Sequence, residues 1–283
     1  MSFLLSKRGY EISPADIYQH PSIRSLVSFL QSGQLNEALT PIQKDARVCY
    51  FANHDDSRKP LLLIICGYRY YEVNYTDLHN TFKDDYSVLV LESVLETKNF
   101  HPEAVENATL LLDEYVRLLR PIIEKRPIAG ITGLCIGGDL ALQLAVRLQE
   151  LNLCSPCVFN IDGMVNRSFY QGQMGVMKGR GITPEMDEER RSFTTAFAKT
   201  IPQRYYPGSF TLFLATRFED VEDFKKEDAE AFYPKNLENW KQAQPDMELI
   251  YMDEVHMQLI HQPACLKRIK QSVDEKLVES NKK

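Results

Sequence analysis

Hydrophobic residues along the chain cluster into short continuous runs separated by stretches of helical period. Residues 61–66, 86–91, 128–132, 158–161, 210–215 and 248–252 are runs of strand length. Residues 47–52 read as a further strand, set off by the polar turn His54-Asp55-Asp56-Ser57. Between these runs, residues 77–82 suggest a short helix. Residues 104–123 suggest a long amphipathic one, with Leu110, Leu111, Tyr115, Leu118 and Leu119 along its apolar side. Leu140, Ala141, Leu144, Ala145 and Leu148 mark another helix, and residues 263–277 a closing one. Strands alternating with helices predict a mostly parallel sheet covered on both faces, an α/β architecture.

Two stretches break the alternation. Residues 1–33 show two helix starts, Ser13-Pro14 and His20-Pro21-Ser22. Ile23, Leu26, Val27 and Leu30 follow at helical spacing, and Gly33 stands where a helix stops. Two such helices cannot close a core alone, and residues 34–45 turn polar and lose periodicity, which reads as a linker. Residues 164–208 form a long insertion with aromatic and basic residues, among them Met174, Met177, Phe193, Phe197, Tyr205, Tyr206, Arg180, Arg190 and Arg191. Its length suggests a lid, with a helix over 184–199 and a hinge at Gly179-Arg180-Gly181. Residues 237–242, with the single tryptophan Trp240, carry no chemical signal.

Composition narrows the classes. A net charge of −6 and scattered basic residues argue against a nucleic-acid partner. No apolar run is long enough to span a bilayer, and the apolar start of the chain ends at Lys7-Arg8, too early for a signal peptide, so a cytoplasmic monomer away from membranes is expected. Six cysteines in such a chain read as reduced thiols. Cys154 and Cys157 spell C-x-x-C, but no second pair completes a zinc site and a strand, rather than a helix, follows. No phosphate-binding or dinucleotide motif and no H-E-x-x-H is present, so neither a metal nor a directly bound cofactor is expected.

The chemistry concentrates at Ile131-Thr132-Gly133-Leu134-Cys135-Ile136-Gly137-Gly138. A strand runs in, a helix runs out, and glycines stand two positions either side of Cys135, the pattern of a nucleophile elbow with cysteine in place of serine. Such a turn lifts the thiol off the sheet edge onto the positive end of a helix and leaves the Ile136 N–H for an oxyanion. Gly67 and Tyr68, just after the strand over 61–66, stand where a second oxyanion donor is expected. Asp162 follows the next strand and His256 the last one, so nucleophile, acid and base occur in the order elbow hydrolases use. Asp220 and Asp223, after the strand over 210–215, compete with Asp162 for the role of acid.

Two resemblances give this constellation a context. Arg8-Gly9-Tyr10-Glu11-Ile12-Ser13-Pro14-Ala15-Asp16-Ile17-Tyr18-Gln19-His20-Pro21-Ser22-Ile23 resembles the last part of a peptidyl carrier domain from a nonribosomal peptide synthetase. The family's Gly-x-x-Ser segment would lie before Met1, so the resemblance implies that the phosphopantetheine arm comes from a partner carrier domain. Residues 46–283 resemble the thioesterase domains that end such assembly lines. The matching segments are Gly133-Leu134-Cys135-Ile136-Gly137-Gly138, Val158-Phe159-Asn160-Ile161-Asp162 and Val255-His256-Met257. This second resemblance implies an α/β-hydrolase fold with a Cys135–Asp162–His256 triad and a lid over about 164–208. It also favours Asp162 over Asp220 or Asp223, and implies release of a carrier-bound acyl or peptidyl group by cyclisation, for example to a strained lactone or lactam, or by hydrolysis. A stand-alone editing thioesterase would share the triad but lack the carrier-like segment, and a carrier-docking scaffold would not need Cys135 at all.

Overall fold

A computed structural model of the chain describes residues 40–44, 49–53, 58–67, 76–91, 107–126, 128–165, 184–217 and 226–280. They build one eight-stranded sheet: β1 (Thr40–Lys44), β2 (Cys49–Asn53), β3 (Leu61–Ile65), β4 (Ser87–Leu91), β5 (Ile128–Leu134), β6 (Cys157–Ile161), β7 (Phe210–Ala215) and β8 (Glu248–Met252). The helices are α1 (Thr76–Phe82), α2 (Ala108–Ile123), α3 (Ile136–Glu150), α4 (Pro184–Thr200), α5 (Lys226–Ala243) and α6 (Pro263–Ser280), with a 3-10 helix at His256–His261. The strand order is β1-β2-β4-β3-β5-β6-β7-β8. β4 through β8 pair in parallel, while β1 and β2 form an antiparallel edge.

Side-chain alternation along the buried strands divides the interior into two apolar layers. Leu61, Leu63 and Ile65 of β3 face one layer, with Leu111, Tyr115 and Leu119 of α2 and Leu140, Leu144 and Leu148 of α3. Leu62 and Ile64 face the other, with Leu78 and Phe82 of α1 and Leu266, Ile269 and Val273 of α6. Both faces of the central strands are therefore dry, which is why they read as unbroken apolar runs. The order also has a switch point. From β3 the chain steps outward to β4, then crosses back over β3 to β5, so the carboxyl ends of β3 and β5 lie side by side, where open α/β sheets form a crevice.

Two segments differ from the sequence reading. Residues 40–44, inside the polar stretch assigned to a linker, form β1 on β2; an edge strand needs no apolar face on the solvent side, so polarity hides it. Residues 226–243 form a full helix, although Pro234 interrupts the run and few apolar residues mark it. Residues 1–33 and the segments carrying Met174, Met177 and Gly179-Arg180-Gly181 lie outside the described residues. Of the insertion over 164–208, α4 is present, and its carboxyl half belongs to the main core: Phe197 and Ala198 are buried there, as are Ile201 and Tyr206 beyond it. Thr200 also caps α2, its hydroxyl accepting the Ala108 N–H at 2.8 Å.

Candidate active site

The site sits at the switch point. β5 ends at Leu134 and α3 begins at Ile136, so Cys135 alone makes the bend. Its φ of 55° and ψ of −124° lie where residues with a side chain rarely go, and the surrounding bonds hold it there. The Cys135 N–H donates to the Ile161 carbonyl at 2.8 Å, continuing the ladder to β6. The Cys135 carbonyl accepts the N–H groups of Gly138 and Asp139 at 2.9 and 3.2 Å, already the first turn of α3.

Missing side chains make room for this bend. A Cβ on Gly137 would run into the Ile65 carbonyl, and one on Gly133 into the Gly137 backbone. A Cβ on Gly67, just past β3, would strike the Gly137 nitrogen. The turn of α3 thus rests directly on the ends of β3 and β5, and the obstructing atoms are main chain that cannot swing aside. Gly137→Ala is expected to destabilise the protein by about 3 kcal/mol, the upper part of the overpacking range, and to slow alkylation of Cys135. Chemical denaturation and labelling measure the two effects; a variant as stable and as reactive as the parent would contradict the close approach.

Asp162 follows β6 as Cys135 follows β5, with a φ of 53° and no side-chain exposure. Its carboxylate takes three hydrogen bonds. Oδ1 accepts the Ala215 N–H at 3.1 Å, while Oδ2 accepts the Tyr233 hydroxyl at 2.7 Å and lies 2.6 Å from His256 Nδ1. His256 opens the 3-10 helix after β8, and its imidazole also hydrogen-bonds Cys135. Burial pulls the imidazole pKa down, but the bonds to Asp162 and Cys135 and their negative charge outweigh it and hold the pKa up at about 10. The side chain remains 27% exposed, so one edge faces the solvent side of the crevice. The Ile136 N–H, at the first position of α3, has no acceptor among the described residues and points from the positive end of the helix.

The structure therefore brings together Cys135, His256 and Asp162, with Ile136 and Gly67 beside them. Tyr68, Asp220 and Asp223 lie outside the described residues. Sequence reasoning missed the polar residues that surround Asp162. Asn160 is fully buried, donates to Asp139 Oδ1 at 3.0 Å and accepts the Gly163 N–H at 2.8 Å. Asn236 accepts the Val165 N–H at 3.1 Å, and Trp240 Nε1–H donates to the Gly163 carbonyl at 3.0 Å. Tyr233, Asn236 and Trp240 recur at helical spacing on α5, a signal legible only once residues 226–243 are read as a helix. Among the described residues no cluster of three or more His, Cys, Asp or Glu side chains suits a metal ion, and no helix is long and apolar enough to cross a membrane.

No protein-family profile and no curated protein sequence matches the chain. Solved structures do. A carboxylesterase of the thaumarchaeon Nitrososphaera gargenis superposes with a TM-score of 0.57 at 14% identity, covering 86% of this chain and 99% of its own. The NocB thioesterase domain of the nocardicin cluster gives 0.52 at 15% identity, covering 81% of this chain and 100% of its own. The RedJ thioesterase of Streptomyces coelicolor, from the prodiginine pathway, gives 0.55 at 14% identity, covering 78% and 92%. Similarities this distant speak for architecture and leave the reaction open. The parallel sheet with its switch point, the helices on both faces and these superpositions together establish that the chain has the α/β-hydrolase fold.

Proposed function

We propose that the protein is a thioesterase that transfers an acyl group from a thioester onto Cys135 and then releases it. The observation that carries this reading is the connected set of Cys135 on its strained elbow, His256 bonded to it, and buried Asp162 at 2.6 Å from His256. The thiol proton rests on His256, whose raised pKa favours the imidazolium beside the sulfur, and the Cys135 sulfur attacks the carbonyl. The Ile136 N–H, together with one near Gly67 or Tyr68, binds the tetrahedral oxyanion. As the C–S bond of the substrate breaks, His256 returns the proton to the departing thiol, leaving acyl-Cys135. Asp162 keeps the imidazole in the required tautomer and stabilises its protonated form.

Thiol chemistry selects the substrate class. Acyl-Cys135 is a thioester, so forming it from a thioester is nearly even in free energy, whereas forming it from an ordinary ester is uphill. It also retains the activation needed to acylate a hydroxyl or amine of the substrate itself. The carrier-like pattern of residues 8–23 favours a phosphopantetheine-bound acyl or peptidyl group delivered by a partner carrier domain, and cyclising release with hydrolysis in competition. The test offers one acyl group as a carrier-bound thioester, a free thioester and an oxoester, and analyses the products. Faster turnover of the thioesters, fastest from the carrier, supports the reading. Equal turnover of the oxoester would remove the thioester assignment, and linear acid alone from a substrate able to cyclise would remove ring closure.

A further inference from the structure

Asp162 must hold its carboxylate at one angle to serve His256, yet its Oδ2 is shared between two partners. One is His256 Nδ1 at 2.6 Å and the other the Tyr233 hydroxyl at 2.7 Å. Resting on the reading of Cys135, His256 and Asp162 as an acyl-transfer triad, we propose that Tyr233 is a positioning residue for that triad, fixing the acid through its hydroxyl. Three observations support this. Tyr233 is 8% exposed and the Asp162 side chain is not exposed at all, so bulk water does not readily replace a lost hydroxyl donor. Burial first, and then the charge and hydrogen bond of Asp162, hold the phenol well above its usual pKa, so Tyr233 stays a neutral donor at any working pH. The third is the anchorage of the helix that carries it.

That anchorage lies on the same side of α5, one and two turns further on. Asn236 Nδ2 donates to the Gly163 carbonyl at 3.3 Å while its Oδ1 accepts the Val165 N–H, and Trp240 donates to the same Gly163 carbonyl. The helix is thus registered against the backbone immediately after Asp162. Tyr233 therefore meets the carboxylate at a set height, while Ala215 N–H holds the other oxygen. With both oxygens pinned, the carboxylate cannot rotate away when His256 gains and loses its proton.

Tyr233→Phe keeps the ring and removes only the hydroxyl. Two quantities are read: the rate of Cys135 alkylation by iodoacetamide, followed on the Cys135 peptide by mass spectrometry, and kcat and KM for a simple acyl thioester. The expected result is a roughly tenfold slower alkylation and a similar fall in kcat with KM unchanged, the scale of one hydrogen bond to a charged group. In an Asp162→Asn background the same change is expected to have no further effect, because Tyr233 acts only through that carboxylate. Equal losses with and without Asp162, or no loss in the parent, would overturn the proposal. Circular dichroism and the melting temperature of each variant separate misfolding from repositioning; if Tyr233→Phe does not fold, Asn236→Ala, expected to slow alkylation only while Asp162 is present, takes its place. If the parent alkylates rapidly at Cys135 but turns over no thioester, the functional reading fails while the alkylation cycle still decides the role of Tyr233.

Discussion

Cys135→Ala is expected to form no acyl adduct and to lower kcat for an acyl thioester by about 10⁵- to 10⁶-fold, the loss seen when a triad nucleophile is removed. The reasoning is structural as well as chemical. Cys135 already sits in the strained backbone region, and alanine can adopt the same φ and ψ with the same neighbours, so the elbow, the Ile136 N–H and the end of α3 survive the change. What disappears is the sulfur and with it the covalent route. Residual rate above the uncatalysed reaction then measures the contribution of the oxyanion site and substrate positioning. Cys135→Ser separates geometry from chemistry: it keeps a nucleophile on the elbow but makes the intermediate an oxoester, so the variant is expected to acylate and to release product more slowly. Steady-state kinetics with intact mass measurement checks both variants, and a Cys135→Ala protein with parental kcat would remove covalent catalysis.

His256→Ala is expected to lower kcat by about 10⁴- to 10⁶-fold and to slow Cys135 alkylation at neutral pH, since in the proposed mechanism the imidazole holds the thiol proton beside the sulfur. The pH dependence has a definite sign. The folded imidazole holds its proton to about 10, above its ordinary 6.5, because Asp162 and Cys135 more than offset its burial. A raised pKa contributes stability that is fully present below 6.5 and lost as pH rises towards 10. The stability difference between the parent and His256→Ala, measured by urea denaturation, should therefore be largest below pH 6.5 and shrink as pH climbs to 10. A difference that grew with pH would mean that His256 is not held as an imidazolium. Asp162→Asn should reproduce much of the kinetic loss at a smaller magnitude, about 10³- to 10⁴-fold, because the imidazole remains but can turn to the wrong tautomer.

Much of this arrangement was legible in the residues. The runs at β3 through β7 announce themselves because strands buried on both faces carry mostly apolar side chains on both. The elbow was legible because its backbone permits only glycine at Gly133 and Gly137, where any Cβ meets main chain. Chain order singles out Asp162 and His256, each past the end of a strand, and the structure places Asp162 Oδ2 2.6 Å from His256 Nδ1. The polar residues around Asp162 were not legible in this way. Tyr233, Asn236 and Trp240 gain meaning only from the groups they reach, the Asp162 carboxylate and the Gly163 and Val165 backbone, some seventy positions earlier in the chain. Likewise the Asn160–Asp139 bond joins a strand and a helix that periodicity places separately but cannot orient. Local pattern reveals which elements form and which glycines must exist; it does not reveal which polar side chain crosses between two elements.

Intact-protein mass spectrometry after a brief exposure to a simple acyl thioester tests the acyl-Cys135 intermediate most directly. The expected result is one added acyl group on the parent, mapped to the peptide carrying Cys135, absent from Cys135→Ala and much slower to appear in His256→Ala. Turnover of the thioester with no adduct at Cys135, and undiminished in Cys135→Ala, would contradict it.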